Sequence, residues 1–311
     1  MVPQVLLDCD TGIDDSLALM YLAALHRAGE IKLCGVTCTA GNTTAAQAAR
    51  NSRYILYRCG ITDIPVVAGV PAPLAVDLVT TPETHGPTGL GYLHAPEARG
   101  FQHQDPEAGQ SWHDLWAEHP QAHVIVVGPA THLALWGSRE RATLMGGAYL
   151  YPGNTTPTAE WNSWVDPHAA KRAFAQATTP ITVCSLGVTE RFTLDPTSLD
   201  VLVAALGQAD IARDLPELLR FYFEFHHAQG EGYLAQIHDL FTCMIGLGTV
   251  AAKGKLTRVD VEADSPLLRG TTVADVRGHW GLPPNARLIE EADVPGAHRE
   301  LLRAAALLRE C

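Results

Sequence analysis

Four aspartates near the start of the chain carry the strongest chemical signal in the sequence. Asp8 and Asp10 end an apolar run, and Asp14 and Asp15 follow shortly after Gly12. Carboxylates this close repel one another, so protons or a cation must be shared among them. A helix N-cap would explain Asp14 or Asp15, but it would not explain all four acids. The segment therefore predicts a site for a hard divalent metal ion held by oxygen ligands.

A second polar cluster lies in the segment 153–167, where Asn154, Glu160 and Asn162 are spaced to line a pocket. Amides and a carboxylate together can donate to and accept from hydroxyl groups, which is how a site holds a sugar. The alternative is a loop with turn-forming asparagines, followed by a helix that starts at Asp166. The cluster alone leaves these two interpretations evenly balanced.

His238 and Asp239 stand at the beginning of an apolar helical pattern. Taken singly, the pair is best explained as a helix cap beside a buried histidine. Next to an acidic metal site that lacks a full ligand set, Asp239 becomes a candidate ligand and His238 a candidate acid. The aromatic run 221–227 is typical of a helix core, and Tyr222 and His226 are its candidates to reach a pocket.

The composition narrows the classes of function. Of the 311 residues, 47% are hydrophobic, which is enough for a large buried core. The formal net charge is −12, and only 22 Lys and Arg residues are spread along the chain, so we exclude a nucleic-acid partner. An acidic surface also disfavours anionic membranes and polyphosphate substrates. A neutral or cationic small molecule fits this charge better.

The sequence also indicates where in the cell the protein is located. The chain has 7 cysteines and no Cys-x-x-Cys pair, and most of them lie in apolar runs, which indicates buried, reduced thiols. The first residues lack a basic segment followed by an apolar stretch, and no apolar run reaches membrane-spanning length. We therefore expect a cytoplasmic protein with no signal peptide and no membrane partner.

Short β-branched runs alternate with longer helical ones along the chain. This alternation predicts an α/β fold over residues 1–311, with a mainly parallel, open Rossmann-like sheet flanked by helices. The predicted strands are 5–9, 33–38, 65–68, 123–127, 143–146 and 181–184, with three short strands at 258–261, 271–276 and 287–290. The predicted helices are 15–26, 43–57, most of 194–252 and a last helix that ends near residue 308.

In such folds, ligands bind beyond the carboxyl ends of the strands. Asp10, Asn42 and the turn 129–131 all come at or just after the ends of predicted strands, so we expect them on one rim of the sheet. The interval 72–109 is rich in Pro, Gly, His and Thr and contains His85. A stretch of this length inside a compact domain predicts a mobile, functional loop.

Taken together, these residues resemble the inosine–uridine-preferring nucleoside hydrolases. The motif at 8–15 is similar to the family's Asp-x-Asp-x-Gly-x-Asp-Asp signature, and the motif at 153–166 is similar to its Gly-Asn-x-Thr-Pro-x-Ala-Glu-x-Asn-x-x-x-Asp stretch. Shorter matches occur in the same order at 36–42, at 128–131 and at the late His-Asp pair. The resemblance covers roughly residues 5–240.

The resemblance implies an α/β enzyme that binds Ca²⁺ tightly and assembles as a homodimer or homotetramer. It implies these Ca²⁺ ligands: Asp10, Asp15, Asp239 and the backbone carbonyl of Thr131. It implies these contacts to the ribose hydroxyls: Asp14, Asn42, Asn154, Glu160 and Asn162. Asp10 would also take a proton from the attacking water, and His238 would assist the departing base. The base would lie near His85 and the segment 222–236.

The chain departs from the family pattern at four positions. Thr11 stands where the family often has Pro, and Ser16 stands where Ala is common. His132 replaces the usual Asn after the turn threonine, and Leu240 replaces the usual Pro after His-Asp. The region expected to bind the base matches no subgroup, so the sequence does not assign base preference.

The function expected from the resemblance is Ca²⁺-dependent hydrolysis of the N-glycosidic bond of ribonucleosides to ribose and free base. One alternative is a haloacid-dehalogenase-type phosphatase, because Asp8 and Asp10 partly fit its nucleophile motif. That class needs a later Lys and a second acidic motif, and the chain has no Gly-Asp-x-x-x-Asp. Another alternative is a non-catalytic nucleoside-binding paralogue.

Overall fold

The computed structural model describes residues 2–96 and 111–309. The strands are β1 (Gln4–Cys9), β2 (Lys32–Cys38), β3 (Val66–Ala68), β4 (His123–Val126), β5 (Ala142–Met145), β6 (Ile181–Cys184), β7 (Thr193–Leu194), β8 (Ala235–Gln236), β9 (Ala252–Val261), β10 (Thr272–Asp275) and β11 (Ala286–Ala292). The helices are α1 (Ile13–Arg27), α2 (Ala45–Arg58), α3 (Pro82–His85), α4 (Trp112–Glu118), α5 (Thr131–Trp136), α6 (Trp161–Val165), α7 (Pro167–Gln176), α8 (Leu186–Thr189), α9 (Pro196–Leu206), α10 (Leu215–Ala228), α11 (His238–Leu247) and α12 (Val294–Arg309).

The predicted α/β fold is confirmed. Over the described residues, nine strands form one sheet in the order β10-β9-β11-β6-β5-β4-β1-β2-β3. The seven strands from β3 to β11 in this order pair in parallel. At the edge of the sheet, β9 pairs antiparallel with β11, and β10 pairs antiparallel with β9. The six strands that the sequence predicts between residues 5 and 184 therefore lie side by side in one sheet.

Strand β1 shows how the two faces of the sheet are covered. Val5, Leu7 and Cys9 belong to the larger hydrophobic core, while Leu6 belongs to the smaller core on the opposite face. Successive side chains of a strand point to opposite faces, and all of these residues are fully buried. A strand buried on both faces is continuously apolar, which explains why its aspartates stand out in the sequence.

The order of the strands reverses between β1 and β4, which are parallel neighbours. The chain leaves β1 toward β2 on one side and returns to β4 on the other side, and this divergence opens a crevice at the carboxyl ends of the two strands. Asp10 follows β1 and Gly128 follows β4 shortly after its end. The rim expected from the sequence is therefore formed at the switch point of the sheet.

The prediction of helices for most of 194–252 misses two short strands. Strands β7 and β8 pair antiparallel in a small second sheet that ties the start of α9 to the start of α11. Two-residue strands carry too little periodicity to be seen in a sequence. The mobility expected for 72–109 stays a prediction, and 97–109 of that interval lies outside the described residues.

Within residues 2–96 and 111–309, none of the helices combines the length and the apolar character that crossing a bilayer would require.

Candidate active site

Three buried carboxylates meet at the centre of the crevice. Asp14 and Asp15 come from the first turn of α1, and Asp239 comes from the first turn of α11. One oxygen of each carboxylate lies within 4.8 Å of the others, and the group could hold a metal ion. The three residues are at most 4% exposed. The packing of α1 against α11 therefore brings together acids that are more than two hundred residues apart in the sequence.

Asp15 has a structural task as well. Its carboxylate accepts the backbone N–H of Gly12 at 2.7 Å and that of Asp10 at 3.3 Å. It therefore caps the start of α1 from the third helical position, where orphan N–H groups and the helix dipole favour a negative charge. The N-cap itself is Gly12, so neither Asp14 nor Asp15 is the N-cap, although Asp15 helps to cap the helix.

Asp10 lies beside this cluster. Its Oδ2 accepts the backbone N–H of Asn42 at 2.6 Å, while its buried Oδ1 has no hydrogen-bond partner. A Cβ placed on Gly128 would lie 2.9 Å from that Oδ1, so a residue without a side chain is needed there. The compact group of three contains Asp14 in place of Asp10. The structure therefore adds Asp14 to the acids that could hold a metal ion, and it leaves Asp10 with an oxygen that has no partner beside them.

The raised pKa values of the buried carboxyl groups fit a cation-binding site. Burial raises the pKa of Asp10, Asp15 and Asp239, and the neighbouring carboxylates raise it further for Asp10 and Asp239. Burial and the charge of Asp15 raise the pKa of Asp14 to about 8. A buried cation would remove this cost. The donor set is made only of carboxylate oxygens, and the described residues that line the crevice include no Lys or Arg, so a hard divalent ion fits.

These pKa shifts predict that the metal-free protein loses stability as the pH rises from about 7 to about 8.5. The folded state keeps a proton on Asp14 up to a pKa of about 8, whereas an unfolded Asp titrates near 3.8. The stability that this proton confers is complete below the unfolded pKa, falls as the pH rises above it, and is gone once the pH has passed the folded pKa. Buried histidines act in the opposite direction only below about pH 6.5, and buried thiols, whose pKa is raised by burial, add to the loss only above about pH 8, so the acids dominate between about pH 7 and 8.

Thermal unfolding of chelator-treated protein at three pH values across this window measures the effect. Added Ca²⁺ should restore most stability at the highest pH, because metal binding competes with protons. The variant Asp14→Asn should show a weaker pH dependence. A metal-free melting temperature that is constant or rises with pH would contradict the prediction.

Two members of the acidic cluster, Asp14 and Asp239, line a pocket with a cavity volume of about 420 Å³. The residues predicted to bind substrate all line it: Asp14, Asn42, His85, Asn154, Glu160 and Asn162. His238 and Asp239 line it as well. The structure thus brings together segments that are distant in the sequence.

Glu160 is held rigidly at one wall of this pocket. Its two carboxylate oxygens accept backbone N–H groups from Gly147 at 2.8 Å, Asn162 at 2.7 Å and Ser163 at 3.0 Å. Burial raises the pKa of Glu160, and these N–H donors oppose that rise. Glu160 is also the N-cap of α6, which explains why a carboxylate begins this short helix.

The amides beside Glu160 are oriented in different ways. Asn162 donates from its side chain to the carbonyl of Val127 at 2.8 Å, which leaves its amide oxygen outside that bond. Asn154 is exposed and accepts the backbone N–H of Trp161 at 3.1 Å. Across the pocket, the Oδ1 of Asn42 is buried without a partner. Amide and carboxylate groups therefore face the cavity as acceptors and donors of the kind that hydroxyl groups need.

Two buried, neutral histidines line the pocket. Burial lowers the pKa of both His85 and His238 to about 3. The backbone N–H of Ile13 donates to Nδ1 of His85 at 3.1 Å, so the proton of this ring is on Nε2. Nδ1 of His238 is hydrogen-bonded to Oγ1 of Thr189 at 2.9 Å. Both rings can hydrogen-bond a ligand, but neither is an imidazolium at neutral pH.

Other pocket residues come from α10 and the loop that follows it. Tyr222 packs against His226 at a ring distance of 4.5 Å, and His226 contacts Glu231 at 2.6 Å. Tyr222 and His226 both line the pocket, as the sequence predicts, and Tyr222 also belongs to the larger hydrophobic core. Glu190 and Glu231 also line the pocket, and the sequence did not mark them. They lie on short connecting segments, where no periodic pattern marks a side chain as facing a cavity.

Asp8 turns away from the pocket. It is fully buried on the opposite face of the sheet, where its Oδ1 contacts Nδ1 of His132 at 2.7 Å and accepts from Oγ1 of Thr37 at 2.7 Å. The phosphatase alternative needs Asp8 as a nucleophile open to substrate, and this location contradicts it. Asp8 is therefore the one acid of the four that is not at the site.

The chain was compared with known proteins. A model of the family "Inosine-uridine preferring nucleoside hydrolase" matches residues 5–299. The chain is 34% identical over 302 residues to the pyrimidine-specific ribonucleoside hydrolase RihA of Shewanella sp. (strain MR-7), covering 94% of this chain and 92% of that protein. It is 33% identical over 310 residues to RihA of Enterobacter sp. (strain 638), covering 95% of each chain.

The fold is also similar to that of a solved structure, the purine-preferring ribonucleoside hydrolase from Gardnerella vaginalis. The TM-score is 0.84 at 23% sequence identity, and the match covers 99% of this chain and 100% of that chain. The family model and the relatives cover nearly the whole chain, and the solved structure shares the architecture. The chain therefore belongs to the inosine-uridine preferring nucleoside hydrolase family, a family of N-glycosyl hydrolases.

Proposed function

We propose that this protein is a Ca²⁺-dependent hydrolase that cleaves the N-glycosidic bond of ribonucleosides to ribose and a free base. The observation that supports it best is the meeting of Asp14, Asp15 and Asp239 at a pocket whose wall carries Glu160 and Asn162. A metal-binding group and a hydroxyl-binding group in one cavity suit a substrate with a sugar diol. Family membership supports the same reaction.

Ca²⁺ suits the proposed ligands Asp10, Asp15, Asp239 and the carbonyl of Thr131. It accepts six to eight oxygen ligands in flexible geometry, which leaves room for hydroxyl groups of a substrate and for water. When bound, it would supply the positive charge that keeps the buried acids ionised and lowers the pKa of a water molecule in the site. Asp14 lies within reach of the same ion and is proposed to divide its oxygens between the ion and the ribose.

The residues of the chain would then have distinct roles. Asp10 would take the proton of the attacking water at Oδ1, the buried oxygen that has no partner. Asn42, Asn154, Glu160 and Asn162 would hold the ribose hydroxyls. Cleavage of the bond develops positive charge on the ribose, and fixed carboxylates near the ring stabilise that charge. His85 and His238 would hydrogen-bond the base, and His238 would assist its departure.

The proposal is tested with a panel of uridine, cytidine, inosine and adenosine, by release of reducing sugar. Chelator-treated protein should lose at least about 100-fold in rate on every substrate that the wild type cleaves, and added Ca²⁺ should restore it. Full activity after complete removal of Ca²⁺ would refute the metal dependence. Binding of nucleosides without turnover, in the presence of Ca²⁺, would instead support the non-catalytic paralogue. The same panel assigns the base preference.

The proposal also includes assembly and location. We infer a homodimer or homotetramer, because the resemblance implies one, and a cytoplasmic location, because the described cysteines are free, buried thiols of the kind that a reducing compartment maintains. The partner is a small-molecule ribonucleoside, without a nucleic acid or membrane partner.

A further inference from the structure

The turn 128–132 joins β4 to α5 and packs against the acidic site. Its Gly128 lies directly beside the Asp10 carboxylate, as the 2.9 Å distance from a Cβ placed on Gly128 to Asp10 Oδ1 shows. In the proposed function, the backbone carbonyl of Thr131 is a metal ligand. A carbonyl cannot be replaced by mutation of its own side chain, so its position depends on whatever holds the turn.

Asp166 holds the turn from one side. Thr131 donates from Oγ1 to Oδ2 of Asp166 at 2.8 Å, in a region where both residues are at most 1% exposed. Asp166 is itself fixed, because it caps α7 through the N–H of Ala169 at 3.0 Å and accepts the N–H of Leu74 at 3.0 Å. The side chain of Thr131 is therefore tied to a rigid helix start.

His132 holds the turn from the other side. The N–H of Val70 donates to its Nε2 at 2.9 Å, so Nε2 carries no proton and Nδ1–H is the donor to Oδ1 of Asp8 at 2.7 Å. Both ring nitrogens are used, and the ring is fully buried. Trp112 stacks on it at a ring distance of 4.5 Å, and a Cβ placed on Gly69 would lie 2.1 Å from Nε2. No room remains for the ring to turn.

We propose that His132 and Asp166 are positioning residues that fix the carbonyl of Thr131 at the metal site. The proposal rests on the proposed function, in which Thr131 is a ligand. His132 stands where the resemblance expects Asn, and the shorter Asn side chain cannot reach both Asp8 and Val70 as the imidazole does. The hydrogen bonds of His132 to Asp8 and Val70 therefore distinguish this chain from the family pattern. They involve Asp8, the acid that does not face the pocket.

Hydrogen bonds to the groups around a metal affect its affinity strongly, and their removal typically raises the dissociation constant by about 10–100-fold. We expect a rise of about this size in the Ca²⁺ dissociation constant for His132→Asn and for Asp166→Asn. Thr131→Val is the mildest variant, because it keeps the backbone carbonyl and the β-branched shape while it removes the hydroxyl. We expect Thr131→Val to weaken Ca²⁺ binding in the same direction.

The experiment is calorimetric titration of Ca²⁺ into chelator-treated full-length protein, together with melting temperatures and activity at low and saturating Ca²⁺. His123 and Thr143 supply matched controls, because they form a buried His–Thr hydrogen bond of 2.9 Å away from the turn, with His123 at the opposite end of β4. His123→Asn and Thr143→Val should lower the melting temperature and leave the Ca²⁺ dissociation constant unchanged.

The proposal is supported if Ca²⁺ affinity falls only in the turn variants and saturating Ca²⁺ restores their kcat. It is overturned if the turn variants lose stability like the controls but bind Ca²⁺ as tightly as the wild type. If His132→Asn does not fold, Thr131→Val decides between these results. Wild-type protein that binds no Ca²⁺ would overturn this proposal together with the proposed metal dependence, and that result is seen before any variant is made.

Discussion

Asp239→Asn should raise the Ca²⁺ dissociation constant by at least about 100-fold and lower kcat/KM for nucleosides by about 1000-fold. Asp239 is one of three buried carboxylates within 4.8 Å of one another, and its loss removes a charged oxygen ligand. The same substitution should raise the melting temperature of the metal-free protein by a few degrees. Burial and the charges of Asp14 and Asp15 raise the pKa of Asp239, so the carboxyl group is costly to the empty fold.

Calorimetry with Ca²⁺, steady-state kinetics and thermal unfolding measure the three effects on the same preparation. Asp200→Asn is the matched control. Asp200 is exposed on α9, away from the pocket, and its substitution removes the same negative charge. It should change none of the three quantities. An Asp239→Asn protein that binds Ca²⁺ like the wild type would place the metal site elsewhere. A metal-free variant that is less stable than the wild type would contradict the electrostatic account.

The rim of the site could be predicted from the sequence because it follows from a local rule. Asp10 and Asn42 follow apolar runs of strand length, and parallel strands end at one edge of a sheet. The rule needs no knowledge of how helices pack. It therefore placed these two residues together, and the structure joins them by the 2.6 Å bond from the N–H of Asn42 to Asp10.

The exact partners within the site could not be predicted by the same rule. Asp8 and Asp10 lie two apart, which suggests one face, but β1 ends at Cys9 and the chain turns before Asp10. Asp8 therefore joins His132 on the far face, while Asp10 lies beside Asp14 and Asp15. The distance between Asp14 and Asp239 depends on how closely α1 and α11 pack, and no local pattern in either helix encodes that distance.

The part of the pocket that Glu190 and Glu231 line was the least predictable, for a related reason. Glu190 and Glu231 reach it from short connections between elements, where backbone direction depends on turn geometry. Glu231 is oriented by His226, and His226 is in turn set by its ring contact with Tyr222. Such a chain of contacts exists only after the helix and the loop have packed. Base preference is therefore assigned by the substrate panel.

His238→Ala should slow the hydrolysis of inosine by about 10²–10⁴-fold, which is the range for loss of a group that assists a leaving group. The base departs with negative charge, and a hydrogen bond or a proton from His238 would stabilise it. A riboside with an activated leaving group, such as 4-nitrophenyl riboside, needs no such help, so its rate should fall by less than about 10-fold. The ratio of the two losses measures the role of His238 in departure of the base.

The buried environment of His238 makes this prediction more specific. Its pKa is lowered to about 3 by burial, first of all, and by the neighbouring His226 and His85. The ring is therefore neutral in the free enzyme, and its action must be a hydrogen bond, or a proton received as the substrate binds. We accordingly expect the pH profile of kcat/KM between about pH 5 and 7 to have the same shape in the wild type and in His238→Ala. An imidazolium with a pKa of about 3 does not titrate in this range.

Kinetics of both substrates across that pH range, for the wild type and for the variant, test the two statements together. His227→Ala is the control, because His227 is exposed one residue beyond His226 and should leave both rates unchanged. Equal losses on inosine and on the activated riboside would exclude His238 from base departure and assign it to positioning of the sugar. A pH limb near 6 that disappears in the variant would contradict the neutral ring of His238, because a cation bound nearby lowers the pKa of an imidazole and cannot produce such a limb.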